Sequence, residues 1–198
     1  MLSKLAKKMT SFFISRNLIE ESRKEVYDYS FEVLLSTLLN GLSLFIIALF
    51  SNTFLYSILY VFAFILMRGS AGGYHAKTHF GCLILLLATY IVFLLLIKFI
   101  SGTILFYLTI IFSVFSLISV FLFAPVENIN NPLTDEEKIK LARKSIVYSI
   151  LILLIAYSII FFAKDMKYSF SLIFGLTSVC LFLPIGEIWF LRQSKRRK

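Results

Sequence analysis

Six apolar blocks, roughly Val33 to Phe50, Phe54 to Met67, Cys82 to Ile100, Thr103 to Phe123, Ser145 to Ala163 and Tyr168 to Leu191, take up most of the 198 residues. They constrain the fold more than any other feature. About 20 helical residues cross the hydrocarbon core of a bilayer, and a helix pairs all its backbone polar groups internally, so the blocks are predicted to be transmembrane helices. Composition agrees: 59% of residues are hydrophobic and 22 are Phe, whereas a soluble domain is about 45 to 50% apolar. The predicted fold class is all-α, a polytopic membrane protein of six transmembrane helices. The second block is short enough to be a tilted or partly re-entrant helix, so the count of six needs independent support.

Charge supplies that support, because cytoplasmic loops are enriched in Lys and Arg. With six spans, one side collects 17 of the 20 basic residues, leaving only Lys98, Lys164 and Lys167 opposite. Dropping the second span would invert every later loop and put the basic carboxyl tail opposite the basic amino terminus. Both termini are therefore predicted to be cytoplasmic in a multi-pass plasma-membrane protein. The first 30 residues are charged throughout, with no apolar run ending in a small-residue cleavage site, so no signal peptide is predicted. Within them Leu2, Leu5, Met9 and Phe12 or Phe13 recur at helical spacing away from Lys4, Lys7, Lys8 and Arg16. That pattern predicts an amphipathic helix lying in the interface, where the net charge of +9 favours anionic lipids. The basic residues form no stripe interleaved with aromatics, which argues against nucleic acid. Without an internal repeat or a Gly/Ser-rich linker, residues 1–198 are read as one domain.

Between the second and third blocks lies a polar, glycine-rich island, Arg68 to Cys82, with the sequence RGSAGGYHAKTHFGC. It holds both histidines, His75 and His79, and one of two cysteines. A catalytic cysteine needs a base or a positive field to form its thiolate. Gly81 is expected to break the chain just before the third block, placing Cys82 in a helix's first turn, where the dipole favours a negative charge. In a continuous helix His75 and Cys82 would stand about 10 Å apart along the axis. Contact between them requires a bent island, which Gly69, Gly72, Gly73 and Gly81 make accessible. Two other readings remain open from the residues alone. Cys82 can be an inert small hydrophobe, and His75, His79 and Cys82 at i, i+4 and i+7 can share a helix face and hold a metal.

The other polar segment, 124–144, is irregular at first and then fits a capping box, Thr134 to Glu137, opening a short charged helix. Its Glu127, Asn128 and Asn130 read as turn and capping residues or as a third member orienting His75. Glu187, inside the last block, reads as an interfacial partner for Arg or Lys, and Cys180 as a core thiol.

Arg68, Gly72-Gly73, His75-Ala76 and Cys82 seven residues after His75 resemble the signature of the accessory gene regulator B (AgrB) family, membrane cysteine endopeptidases of Gram-positive quorum sensing. The resemblance extends to the chain length, the basic amino-terminal segment, the six blocks and the loop residues Pro125, Glu127, Asn128, Asn130, Pro132 and Leu133. It implies that Cys82 is the nucleophile and His75 its general base and acid, with Arg68 and Gly73 needed for activity and His79 without a role. The implied substrate is an AgrD-like propeptide, cleaved through an acyl-enzyme thioester and closed to a thiolactone or lactone. The implied assembly is a homodimer, and no cofactor or metal is expected. Arg68, Lys77 and the basic loop with Lys138, Lys140 and Arg143 would suit the acidic tail of such a peptide. The rival classes are a membrane peptide exporter and a membrane metalloenzyme using His75, His79 and Cys82.

Overall fold

The structure, a computed structural model, describes residues 2–16, 18–73, 79–127, 133–163 and 165–197. Among these residues it is all-α. The helices are α1 (Leu2–Ser15), α2 (Lys24–Ser51), α3 (Phe54–Ala71), α4 (His79–Phe99), α5 (Gly102–Phe123), α6 (Asp135–Ala163), α7 (Met166–Cys180) and α8 (Leu183–Arg197). Among the described residues six segments are long and apolar enough to cross a membrane, the last comprising α7 and the start of α8. The chain is a multi-pass membrane protein, as its hydropathy predicts.

Two compact units divide it, Met1–Phe50 and Ser51–Lys198. In the first, α1 is amphipathic as expected, but its apolar arc is split. Ala6 and Thr10 are buried, whereas Leu5 and Phe12 are exposed on the flank next to Lys4 and Lys8. The Phe13 ring stacks on Phe31 of α2 with centroids 5.4 Å apart.

In the second unit α7 is the central helix, packed by α3, α5 and α6 and touched by α4. Every residue from Ser169 to Cys180 is buried. Lipid tails are as apolar as leucine, so helices in a bilayer associate through close packing and interhelical hydrogen bonds, which favour small and hydroxylated residues at the contacts. Ser169, Ser171, Gly175, Thr177 and Ser178 give α7 that surface. At Gly175 the backbones meet so closely that an added Cβ would collide with the Tyr60 carbonyl and press on Ala63. Opposite α7, α5 buries Thr109, Ser113, Ser116 and Ser119. Ser116 and Thr177 share a hydrogen bond of 3.0 Å, and the Tyr157 hydroxyl of α6 donates to Ser113 at 3.2 Å. On the other flank, α4 is joined to α3 by the pairs Ser57–Tyr90, 2.6 Å, and Tyr60–Thr89, 3.2 Å. Phe93 fits between Tyr60 and Phe174, at centroid distances of 4.8 and 6.0 Å.

Three expectations are corrected. The second span is not short: α3 continues through Arg68, Gly69 and Ser70 to Ala71, and 18 residues make about 27 Å of helix. The sixth block is two helices, because Pro184 has no N–H to donate to the Cys180 carbonyl and its ring crowds that turn. There Phe182 N–H bonds to Val179 O at 3.0 Å, an i to i−3 contact that tightens the end of α7. The charged helix after the fourth span is not separate. It is the start of the 29-residue α6, whose buried stripe begins only at Ser145.

Forcing a side chain into the α3–α7 contact overpacks it, at a cost of about 1 to 3 kcal/mol. Gly175→Val is expected to lower the thermal midpoint of the detergent-solubilised protein by several degrees. Phe162→Ala, at a position 79% exposed, should leave it unchanged in the same melting experiment.

Candidate functional site

The island predicted to carry chemistry begins where α3 ends. Gly72 and Gly73 have φ of +71° and +114°, a left-handed conformation that terminates the helix and bends the chain. A bend is thus present at these two glycines, while residues 74–78, which include His75 and lead toward Cys82, lie outside the described residues. Gly69 lies inside α3 and Gly81 inside α4, so neither contributes to it.

Helix ends leave carbonyls without partners inside the helix. The Ala71 carbonyl accepts a 3.0 Å hydrogen bond from the Val126 N–H, which belongs to the segment following α5. The Gly72 carbonyl accepts one of 2.9 Å from Arg68 Nη1, one turn back along α3. Both glycines are crowded as well as left-handed. A Cβ on Gly72 would lie 2.6 Å from the Val126 carbonyl oxygen, and one on Gly73 would lie 2.7 Å from Arg68 Nη1 and 3.6 Å from Leu183 Cδ2. The Arg68 side chain is thus folded against the turn it precedes.

Cys82 is the fourth residue of α4. The helix starts at His79, two residues before Gly81, so Gly81 does not break the chain. A glycine inside a helix costs only about 1 kcal/mol relative to alanine, and the strongly apolar run that follows outweighs it. The first-turn placement of Cys82 nevertheless stands. Its side chain is half-buried and within electrostatic reach of the Arg68 guanidinium. The structure thereby brings Arg68 against Gly72 and Gly73, with Cys82 in electrostatic reach of the guanidinium. His75 lies in 74–78, outside the described residues, as do the side chain of His79 and the whole of Asn128. Among the described residues no group of three His, Cys, Asp or Glu is placed to hold a metal ion. Cys180 is fully buried in the α7 core, as expected of a structural thiol.

Charged residues gather at the same end of this unit. Glu127 Oε1 lies 2.6 Å from Lys138 Nζ, with the glutamate side chain 18% exposed and the lysine 40%. Asp135 Oδ1 is 4.0 Å from the same ammonium, and Glu187 of α8 is within its electrostatic reach. Lys140 and Arg143 are exposed on α6. The predicted capping box forms: Thr134 N–H and hydroxyl donate to Glu137 Oε2 at 2.9 and 3.0 Å, and Glu137 N–H donates to Thr134 Oγ1 at 3.3 Å. Sequence reasoning missed Val126 and Leu183. Val126 acts through its backbone, which leaves no compositional signal, and Leu183 acts through shape. Glu187 was legible as an acid in an apolar block, and Lys138 lies within its electrostatic reach.

The profile of the family described as "Accessory gene regulator B" matches residues 6–183. An AgrB-like protein of Clostridium perfringens (strain SM101 / Type A) is 28% identical over 194 residues, covering 96% of this chain and 89% of its own. An AgrB-like protein 2 of Clostridium perfringens (strain 13 / Type A) is 28% identical over 203 residues, covering 95% and 94% respectively. No solved structure matches.

The unequal settings of the two thiols are open to measurement. A maleimide is expected to modify Cys82 in the folded, detergent-solubilised protein and to spare Cys180 until denaturation, read by mass spectrometry of the peptides. Arg68→Leu should slow labelling at Cys82, because it removes the cation within electrostatic reach of that sulfur.

Proposed function

The chain belongs to the accessory gene regulator B family, and from that membership we propose that it is a membrane-embedded cysteine endopeptidase which removes the carboxyl-terminal tail of an AgrD-like propeptide and promotes its cyclisation. The observation that carries this reading is Cys82, at the start of α4, within electrostatic reach of Arg68, whose guanidinium is bound to the Gly72–Gly73 turn two residues before His75.

In this mechanism His75 takes the proton of Cys82, and the Arg68 charge favours the resulting thiolate. The sulfur attacks the carbonyl carbon before the acidic tail. His75 returns the proton to the departing amine, the peptide C–N bond breaks, and the remaining peptide is held on Cys82 as a thioester. The thiol or hydroxyl of an internal Cys or Ser then gives its proton to His75 and attacks the same carbon. Cys82 leaves, the ring closes as a thiolactone or lactone, and His75 reprotonates the enzyme. A thioester exchanged for a thioester conserves bond energy, so closure to a thiolactone needs no ATP as long as water is kept from the intermediate. A site at the membrane boundary favours that exclusion.

The Lys and Arg asymmetry supports cytoplasmic termini and a cytoplasmic site. On that side Lys140 and Arg143, exposed on the first turns of α6, would attract the acidic tail, and the amphipathic leader of the substrate would share the inner leaflet with α1. Assembly as a homodimer follows the family.

Separate Cys82→Ala and His75→Ala substitutions are expected to abolish release of the tail from a tagged propeptide, while His79→Ala retains it. A Cys82–peptide thioester should be detectable by mass spectrometry. Equal loss with His79→Ala together with chelator sensitivity would favour a metalloenzyme, and no cleavage by the unaltered protein would favour an exporter. Lys140→Glu with Arg143→Glu is expected to raise KM for a propeptide with an acidic tail severalfold, and little for one whose tail acids are amidated. Equal effects on both peptides would contradict the electrostatic role.

A further inference from the structure

We propose that Glu127, Lys138 and Glu187 form a positioning cluster that fixes the Gly72–Gly73 turn, and through it Arg68, against Cys82. For turnover this rests on the peptidase reading above. For the hold on the turn and on the Arg68 side chain it rests on the contacts at Ala71, Gly72, Glu127 and Lys138.

The connection from Lys138 to Arg68 is short and runs through contacts at Glu127, Val126, Ala71 and Gly72. Residues 124–127 leave α5 and pass across the end of α3. Val126 is 7% exposed and belongs to the hydrophobic core, so this segment is packed rather than draped. Its N–H holds the Ala71 carbonyl, and its carbonyl oxygen occupies the space where a Cβ of residue 72 would be. The next residue, Glu127, is bound to Lys138 at 2.6 Å. Lys138 is the fourth residue of α6, a helix held in the bundle by its buried stripe from Ser145 onward. Glu187 of α8 is within electrostatic reach of the same ammonium, and Leu183 of that helix lies 3.6 Å from where a Cβ of residue 73 would be. Residues 124–127 are therefore a strap over the turn. The core grips it at Val126 and the ion cluster grips it at Glu127.

On the other side of the strap, the Gly72 carbonyl accepts the hydrogen bond of Arg68 Nη1. A turn that shifts takes this acceptor with it, and the guanidinium swings away from Cys82. An isolated exposed ion pair contributes little to overall stability. Here Glu127 is mostly buried and one residue away from the backbone contact, so its effect falls on local alignment. This gives Lys138 a role different from that of Lys140 and Arg143. Lys138 is engaged by carboxylates of its own chain, whereas the other two stand exposed.

A double-mutant cycle tests the proposal in the full-length, detergent-solubilised protein with a tagged propeptide. Glu127→Gln and Lys138→Gln should each reduce kcat about tenfold with KM little changed, a size typical of groups coupled in one network. Because both act through the same contact, the double variant should lose about the same factor and not the product. Glu187→Gln should give a smaller loss of the same kind. A second readout needs no turnover: Glu127→Gln should slow maleimide labelling of Cys82, in the direction of Arg68→Leu, while the thermal midpoint shifts little. Were Lys138 a docking cation for the substrate tail, Glu127→Gln would free it, lower KM and leave kcat intact, and that result overturns the proposal. Additive losses in the double variant, or unaltered Cys82 labelling in Glu127→Gln, overturn it too. Absence of tail release by the unaltered protein, or its persistence in Cys82→Ala, counts against the peptidase reading and leaves the labelling test standing.

Discussion

The approach of α7 to α3 at Gly175 is the contact on which the described bundle depends. In a bilayer, burial of apolar side chains does not drive helices together, so their association has to come from atoms that fit and from hydroxyls that pair. Gly175 lets α7 sit against the Tyr60 carbonyl, and the aromatic side chain of the same tyrosine meets Tyr90, Phe93 and Phe174. One residue thus ties α3 to both α4 and α7. Ser116–Thr177 and Ser113–Tyr157 extend the packing to α5 and α6.

The candidate site is built from the ends of these same helices. The carboxyl end of α3 supplies Arg68 and the glycine turn, and the amino end of α4 supplies Cys82. The segment after α5 supplies Val126 and Glu127, α6 supplies Lys138, and α8 supplies Leu183 and Glu187. The break at Pro184 matters here, because it turns the chain after the buried α7 and delivers two residues of α8 to the site. A rigid bundle is thereby joined to a small polar assembly whose parts come from five separated stretches of chain. A hydrogen bond joins α3 to the segment after α5, and an ion pair joins that segment to α6.

Legibility in the sequence followed the range of the interaction. The capping box was readable because Thr134 and Glu137 are three residues apart and satisfy each other. The bend at Gly72-Gly73 was readable as a bend, yet four glycines competed for it. Only contacts with Val126 and Arg68, remote and local respectively, single out the pair that adopts positive φ. Gly81 misled because a glycine weakens a helix without stopping one. The second block seemed short because Arg68 and Ser70 interrupt its hydropathy, although hydrogen-bonded helix continues through polar residues without difficulty. The last block concealed a break, since Pro184 keeps the local composition apolar while removing a donor.

By itself, the sequence determined six membrane-crossing segments, an amphipathic opening helix, a bent polar island with the only histidines, and a charge asymmetry. These follow from hydropathy, periodicity and spacing, which act within about one helix length. Tertiary structure alone decided that α7 is central, that Val126 caps the end of α3, and that Lys138 is claimed by Glu127 of the preceding loop. Each of those depends on which faces of distant helices meet. That choice is made by shape and by the pairing of buried polar groups across the bundle, and no window of neighbouring residues contains it.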